Sequence, residues 1–124
     1  MSAMSAIPPH LSYTRDHEWL HDGRVGITAF AADALGDIVY VQLPDVGATV
    51  TAGVPCGEIE STKSVSELYS PADGTVVEVN DAVVTTPELI NSDPFNGGWL
   101  FRMQVDGDLE LLDASAYRQH VEGS

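Results

Sequence analysis

The sequence predicts a mainly β domain with short peripheral helices and one C-terminal helix, on three observations. Its apolar runs have strand length and are separated by turn residues, two of them repeat one pattern, and helix-capping signals flank only short segments. At 124 residues the chain has room for one domain with a real core. Residues 1–12, with Pro8-Pro9, are expected to form a flexible leader, and residues 13–124 a single domain.

From Trp19 onward, Asp22-Gly23 suggests a hairpin into Arg24-Val25-Gly26-Ile27-Thr28. Thr28 can cap a short helix, Phe30 to Leu35, which Gly36 stops. The run Asp37 to Leu43 is apolar on both faces and reads as a strand buried between layers, ended by Pro44. Val54 to Glu60, Ser61 to Ser64 and Val65 to Ser70 read as strand, tight turn and strand, with Pro71-Ala72-Asp73-Gly74 as the next turn. A turn-rich stretch, Ser92 to Gly98, leads to a strand over Trp99 to Val105, and Asp113 caps a final helix running past Tyr117 to His120. Trp19, Tyr40, Trp99 and Phe101 are expected in the core.

An internal echo links Gly36-Asp37-Ile38-Val39-Tyr40-Val41 with Gly74-Thr75-Val76-Val77-Glu78-Val79. Further along, Pro55-Cys56-Gly57-Glu58-Ile59 is loosely matched by Pro87-Glu88-Leu89-Ile90. Two generic strands can coincide in this way, so duplication stays open; if it is real, Lys63 lies near the join of the halves.

Lys63 is the only lysine, set in the patterned segment Gly57 to Tyr69. A primary amine can be acylated where arginine cannot, so a solitary lysine reads as a point of covalent attachment. Compositional drift could thin out lysine, but arginine is scarce too and the flanking residues are patterned. At a hairpin tip the amine is exposed while the paired strands below fix its place, a good mount for a prosthetic group.

Nineteen acidic against five basic residues give a net charge of −14, which repels phosphate backbones and anionic lipid. Nucleic acid and membranes are therefore poor partners, whereas basic patches on other proteins would be approached quickly. The lone Cys56 forms no internal disulfide, and the start of the chain lacks targeting features, so a cytoplasmic location is expected. The sequence holds no nucleophile elbow, P-loop or dinucleotide fingerprint. His17 and His21 lack further ligands at metal-site spacing, and Cys56 reads as a small hydrophobe, so catalysis by this chain alone is not expected.

His17-Glu18-Trp19, Val25-Gly26-Ile27-Thr28, Ala34-Leu35-Gly36-Asp37-Ile38-Val39, Glu60-Ser61 with Lys63, Ser70-Pro71, Leu89-Ile90-Asn91 and Asp93-Pro94 through Gly98-Trp99-Leu100-Phe101 occur in one order from about Tyr13 to Tyr117. Together they resemble the H protein of the glycine cleavage system. The departures are Thr62 and Ser64, where that family usually has valine and alanine. The resemblance implies a flattened β-sandwich, or barrel-sandwich hybrid, of the biotinyl and lipoyl carrier type. It also implies lipoic acid held on Lys63 as N6-lipoyllysine, in a monomeric, non-catalytic carrier.

Partners implied by the resemblance are glycine decarboxylase (the P protein), which loads an aminomethyl group, and aminomethyltransferase (the T protein), which passes its carbon to tetrahydrofolate. Dihydrolipoyl dehydrogenase (the L protein) then reoxidises the dithiol. Glu60 and Glu67 would help lipoylating enzymes find the hairpin, with plain solvated carboxylates as the competing reading, and Glu18 would meet the docked arm. Biotin carriers usually flank their lysine with methionines, which Thr62 and Ser64 do not supply. A relative acting in lipoate relay, or as the lipoyl domain of another dehydrogenase complex, is the alternative.

Overall fold

The computed structural model describes residues 7–107 and 111–123. The first elements are β1 (Ser12–Tyr13), β2 (Glu18–His21), β3 (Arg24–Ile27), α1 (Ala29–Leu35) and β4 (Ile38–Gln42). Then come β5 (Thr49–Val50), β6 (Pro55–Ser61), β7 (Val65–Tyr69) and β8 (Gly74–Val79), and finally α2 (Asp81–Thr85), α3 (Leu89–Ser92), β9 (Phe101–Val105) and α4 (Ala114–Glu122). One sheet runs β1-β2-β3-β9-β8-β5 and the other β4-β6-β7, with antiparallel pairing throughout. The sheets form a sandwich rather than a closed barrel, as the flattened architecture requires.

Leu20, Val25, Val76 and Phe101 of the larger sheet join Ile38, Val41, Ile59 and Leu68 of the smaller in one buried cluster. Short helices close its ends with Ala32, Val83 and Ile90. A second cluster, Leu11, Tyr13, Trp19 and Tyr117, packs α4 against the other face of β1 and β2. Consecutive strand residues point to opposite faces. Because both faces of β2 are covered, Glu18, Trp19 and Leu20 are all buried.

Local chemistry explains most of the boundaries. Asp22 and Gly23 have φ of 50° and 81°, the pair of positive values that a tight two-residue hairpin with matched strand twist needs. Thr28 caps α1 by accepting the Ala31 N–H, and Gly36, at φ 89°, ends it. Asp113 caps α4 by accepting the Ala116 N–H at 2.8 Å.

Four expectations need correction or division. The run Asp37 to Leu43 is not buried between layers: β4 is an edge strand, with Val39 and Tyr40 about half exposed, so Tyr40 is not core. A register shift between Ile38 and Tyr40 is the reason, since the extra residue of a bulge lets Ile38 and Val41, three apart, both face inward. Trp99 is half-buried, with the Arg24 guanidinium 5.1 Å from its ring centre, and the strand begins at Phe101.

The echo divides. Its first part is structural, because β8 carries the same shift between Val76 and Glu78, but its second part pairs strand β6 with helix α3. Of the expected leader, residues 1–6 lie outside the described residues. Within it, Leu11 is buried and Ser12 pairs with Leu20.

Asn91, on α3, holds the junction between α1 and β4. Its amide donates to Gly36 O at 2.8 Å and its carbonyl accepts the Ile38 N–H at 2.9 Å. Between those residues, Asp37 O accepts the Thr62 N–H at 3.0 Å, so the Lys63 turn is anchored to the same junction. Asn91→Ala should lower the unfolding free energy by about 1–3 kcal/mol, the loss of two hydrogen bonds. It should also speed hydrogen exchange at the Thr62 amide; an unchanged urea midpoint and exchange rate would contradict this role.

Candidate functional site

Lys63 sits on the exposed turn between β6 and β7. The turn is closed by Ser61 N–H to Ser64 O at 2.8 Å, and Ser61 Oγ accepts the Ser64 N–H at 3.1 Å and the Lys63 N–H at 3.3 Å. The lysine stem lies over Gly36: a Cβ there would stand 3.2 Å from Lys63 Cε. Gly36 thus leaves a cradle for the stem at the end of α1, and Lys63 has no ion-pair partner among the described residues.

Alongside α1 runs a cleft of about 250 Å³. One wall is α1 itself, with Phe30, Ala31, Ala34 and Leu35; Ile27 and Ile59 come from the two sheets, and Asp16, His17, Glu18 and Glu67 supply polar groups. Leu35, next to Gly36, brings one end of the cleft close to the lysine mount. The site is therefore an exposed amine beside an apolar trough containing carboxyl groups. That arrangement suits an acyl arm lying partly out of water. Among the described residues no group of three His, Cys, Asp or Glu side chains is placed to hold a metal. No helix among them is long and apolar enough to cross a membrane.

Glu18 is 2% exposed. Thr14 Oγ1 donates to its Oε1 at 2.6 Å and accepts its backbone N–H at 3.1 Å. Burial raises the carboxyl pKa from 4.5 to about 8, with Asp16 adding to the rise and hydrogen bonds from Thr14 and the Tyr69 backbone opposing it. Glu18 is thus held protonated near neutral pH. Cys56, half-buried on β6, has its thiol pushed up to about 12 by burial and by nearby Glu18, which makes it an inert hydrophobe.

Glu60 and Glu67 are not brought together. Glu60 pairs with Tyr40 and Val65, whereas Glu67 pairs directly with Glu58 across β6 and β7. Two like charges facing each other across a strand pair are unfavourable, so this acidic row favours a basic partner. The sequence singled out the turn, Glu18 and the two glutamates, but not Glu58, Asn91, Phe30 or the Gly36 cradle. Asn91 and Gly36 carried a signal, since both lie in segments of the resemblance.

Glu18 makes stability depend on pH. Its carboxyl ionises near 4.5 in the unfolded chain and near 8 in the folded one, so the unfolded state loses its proton first as pH rises. The contribution is intact below about 4.5 and lost progressively as pH rises through about 8. Glu18→Gln should match wild type near pH 4.5 and exceed it by on the order of a few kcal/mol near pH 8. Urea denaturation across that window checks it, and parallel curves would contradict it.

Three comparisons bear on this arrangement. The sequence profile of the family described as Glycine cleavage H-protein matches residues 11–124. A glycine cleavage system H protein of Beutenbergia cavernae is 58% identical over 122 residues, covering 95% of this chain and 98% of that one. The Thermobifida fusca protein of the same name is also 58% identical, over 123 residues and the same shares. The crystal structure of a glycine cleavage system H protein from Mycobacterium marinum superposes with a TM-score of 0.88 at 52% identity, covering 95% of this chain and all of that one. A match over nearly the whole length, in both sequence and fold, places this chain in the glycine cleavage H-protein family.

Proposed function

We propose that the chain is the lipoyl carrier of a glycine cleavage system, with lipoic acid joined by an amide to Lys63 Nζ. The observation that carries this reading is the single lysine on a pinned, exposed turn whose stem lies in the Gly36 cradle at the end of the cleft. When bound, the group would supply a dithiolane whose disulfide is reduced as it accepts the aminomethyl carbon of glycine and is reoxidised after that carbon has been passed on.

The residues divide the remaining work. Acylation removes the Lys63 charge and leaves an apolar arm, which the α1 wall and Ile59 can cover. Glu18 meets the amine of the cargo: an arriving ammonium favours the carboxylate, so Glu18 gives up its proton as the cargo docks. Asp16 and Glu67 make the rest of the cleft attractive to a cation. The tether keeps the cargo at high effective concentration for each enzyme in turn.

The partners are the P, T and L proteins together with the lipoylating enzymes, which find the turn through Glu60 and Glu67. This chain performs no bond chemistry itself, acts as a monomer and works in the cytoplasm. The absence of an internal disulfide supports that compartment.

Intact mass and peptide mapping of protein from the native source should find lipoate on Lys63. Lys63→Arg should fold as wild type, gain no lipoyl mass and fail to support glycine cleavage; lipoate elsewhere, or cleavage sustained by the variant, would refute the assignment. A relay-only carrier would be lipoylated yet fail to accept an aminomethyl group from a P protein. Affinity for the P protein should fall as salt is raised through about 0.1 M, where exposed charges are screened beyond about 10 Å. A flat titration would reject electrostatic docking.

A further inference from the structure

One side of the cleft rests on a buried hydrogen-bond chain that reaches back to α4. Thr28 Oγ1 accepts the Ala31 N–H at 3.2 Å as the cap of α1 and lies 2.8 Å from Tyr117 Oη. That phenol lies 2.8 Å from Nδ1 of His17, whose residue borders the cleft beside Glu18. Thr28 and Tyr117 are 1% and 0% exposed, so water does not complete the chain at either.

The hydrogens can run in one direction without loss. If Thr28 donates to Tyr117 and Tyr117 donates to Nδ1, every hydroxyl hydrogen has an acceptor. The reverse begins with Nδ1–H and leaves the Thr28 hydroxyl hydrogen with no acceptor among the described residues. Stranding a buried donor disfavours that arrangement by roughly tenfold or more.

His17 is held for this role by its backbone as well. Its φ is 70°, in the left-handed region that few residues other than glycine occupy. Its N–H donates to Thr14 O at 3.2 Å and its carbonyl accepts the Thr28 N–H at 3.0 Å. The ring packs between Phe30 and His120, with centroids 4.9 and 5.5 Å away. Asp16, Glu18, His120 and Tyr117 are the titratable groups around it. Burial and His120 hold the imidazole below its usual pKa against the pull of Asp16, which favours the neutral ring.

We propose that Thr28 and Tyr117 fix His17 as the Nε2–H tautomer, which makes Tyr117 a positioning residue through which α4 sets the hydrogen-bonding character of the cleft wall. With Nδ1 occupied, His17 offers a donor and no acceptor to a ligand. It suits an acyl-amide oxygen and leaves a cationic amine to Glu18. This consequence rests on the lipoyl-arm reading, whereas the tautomer itself does not.

Nitrogen-resolved NMR of the imidazole rings on the unloaded protein near pH 7 tests it. Wild type should show His17 protonated at Nε2 and bare at Nδ1. Tyr117→Phe keeps the ring stacked on Tyr13, 4.6 Å away, and should shift His17 to a tautomer mixture. The same variant, once loaded, should release formaldehyde and ammonia roughly three- to tenfold faster, while Thr28→Ser, which keeps the hydroxyl, should change neither reading.

An Nδ1–H tautomer in wild type would overturn the proposal whatever Lys63 carries. Unchanged release from Tyr117→Phe would overturn the positioning role. Failure of the lipoyl reading is distinct, because it appears as Lys63 without lipoate.

Discussion

The Asn91 side chain is the constraint on which the carrier site depends. By binding Gly36 O and Ile38 N it fixes the short bend between α1 and β4. The carbonyl inside that bend, on Asp37, accepts the Thr62 N–H beside Lys63. One amide from a third helix therefore sets three things together: the end of α1, the cradle at Gly36 and the anchor of the lysine turn. A mobile prosthetic arm works best from a fixed origin, since its reach is then directed rather than averaged. The bulge at Ile38 to Tyr40, just beyond that bend, turns Val39 and Tyr40 outward while Ile38 and Val41 stay in the core.

Against this rigid mount, Glu18 is a deliberate weakness. Its strand is covered on both faces, so the carboxyl lies where an apolar side chain would pack better. Thr14 supplies its hydrogen bond, and burial keeps it protonated. A buried, neutral acid beside an apolar trough stores a response to positive charge. Its proton leaves when a cation arrives and returns when the cation departs. In the lipoyl-carrier function proposed above, this would let the cleft distinguish a loaded from an empty arm without rearranging the sandwich.

The sequence displayed the elements whose cause is local. Asp22-Gly23, Thr28 with Gly36, and Asp113 each act through their own backbone conformation or cap, and all appear where the residues predict. The Lys63 turn was equally legible, because a lone lysine and a strand-turn-strand pattern are both properties of a short segment. What stayed hidden depends on residues far apart. The exposure of Tyr40 comes from a bulge set against β6, and the helical state of Leu89 to Ser92 from packing that overrides an apparent strand echo. The cleft joins Glu18, Phe30, Ile59 and Glu67, which no spacing rule connects. The link from His17 to Tyr117 spans 100 positions and was invisible for the same reason.

The central claim is that an arm on Lys63 lies in the cleft beside α1 when it carries its cargo. The most direct measurement is of proton–proton NMR contacts between the arm and the protein in the lipoylated, loaded state. The account predicts contacts from the arm to Phe30, Ala34 and Leu35. Contacts confined to Tyr40 and Val65 on the outer face, or none to the protein body, would contradict it.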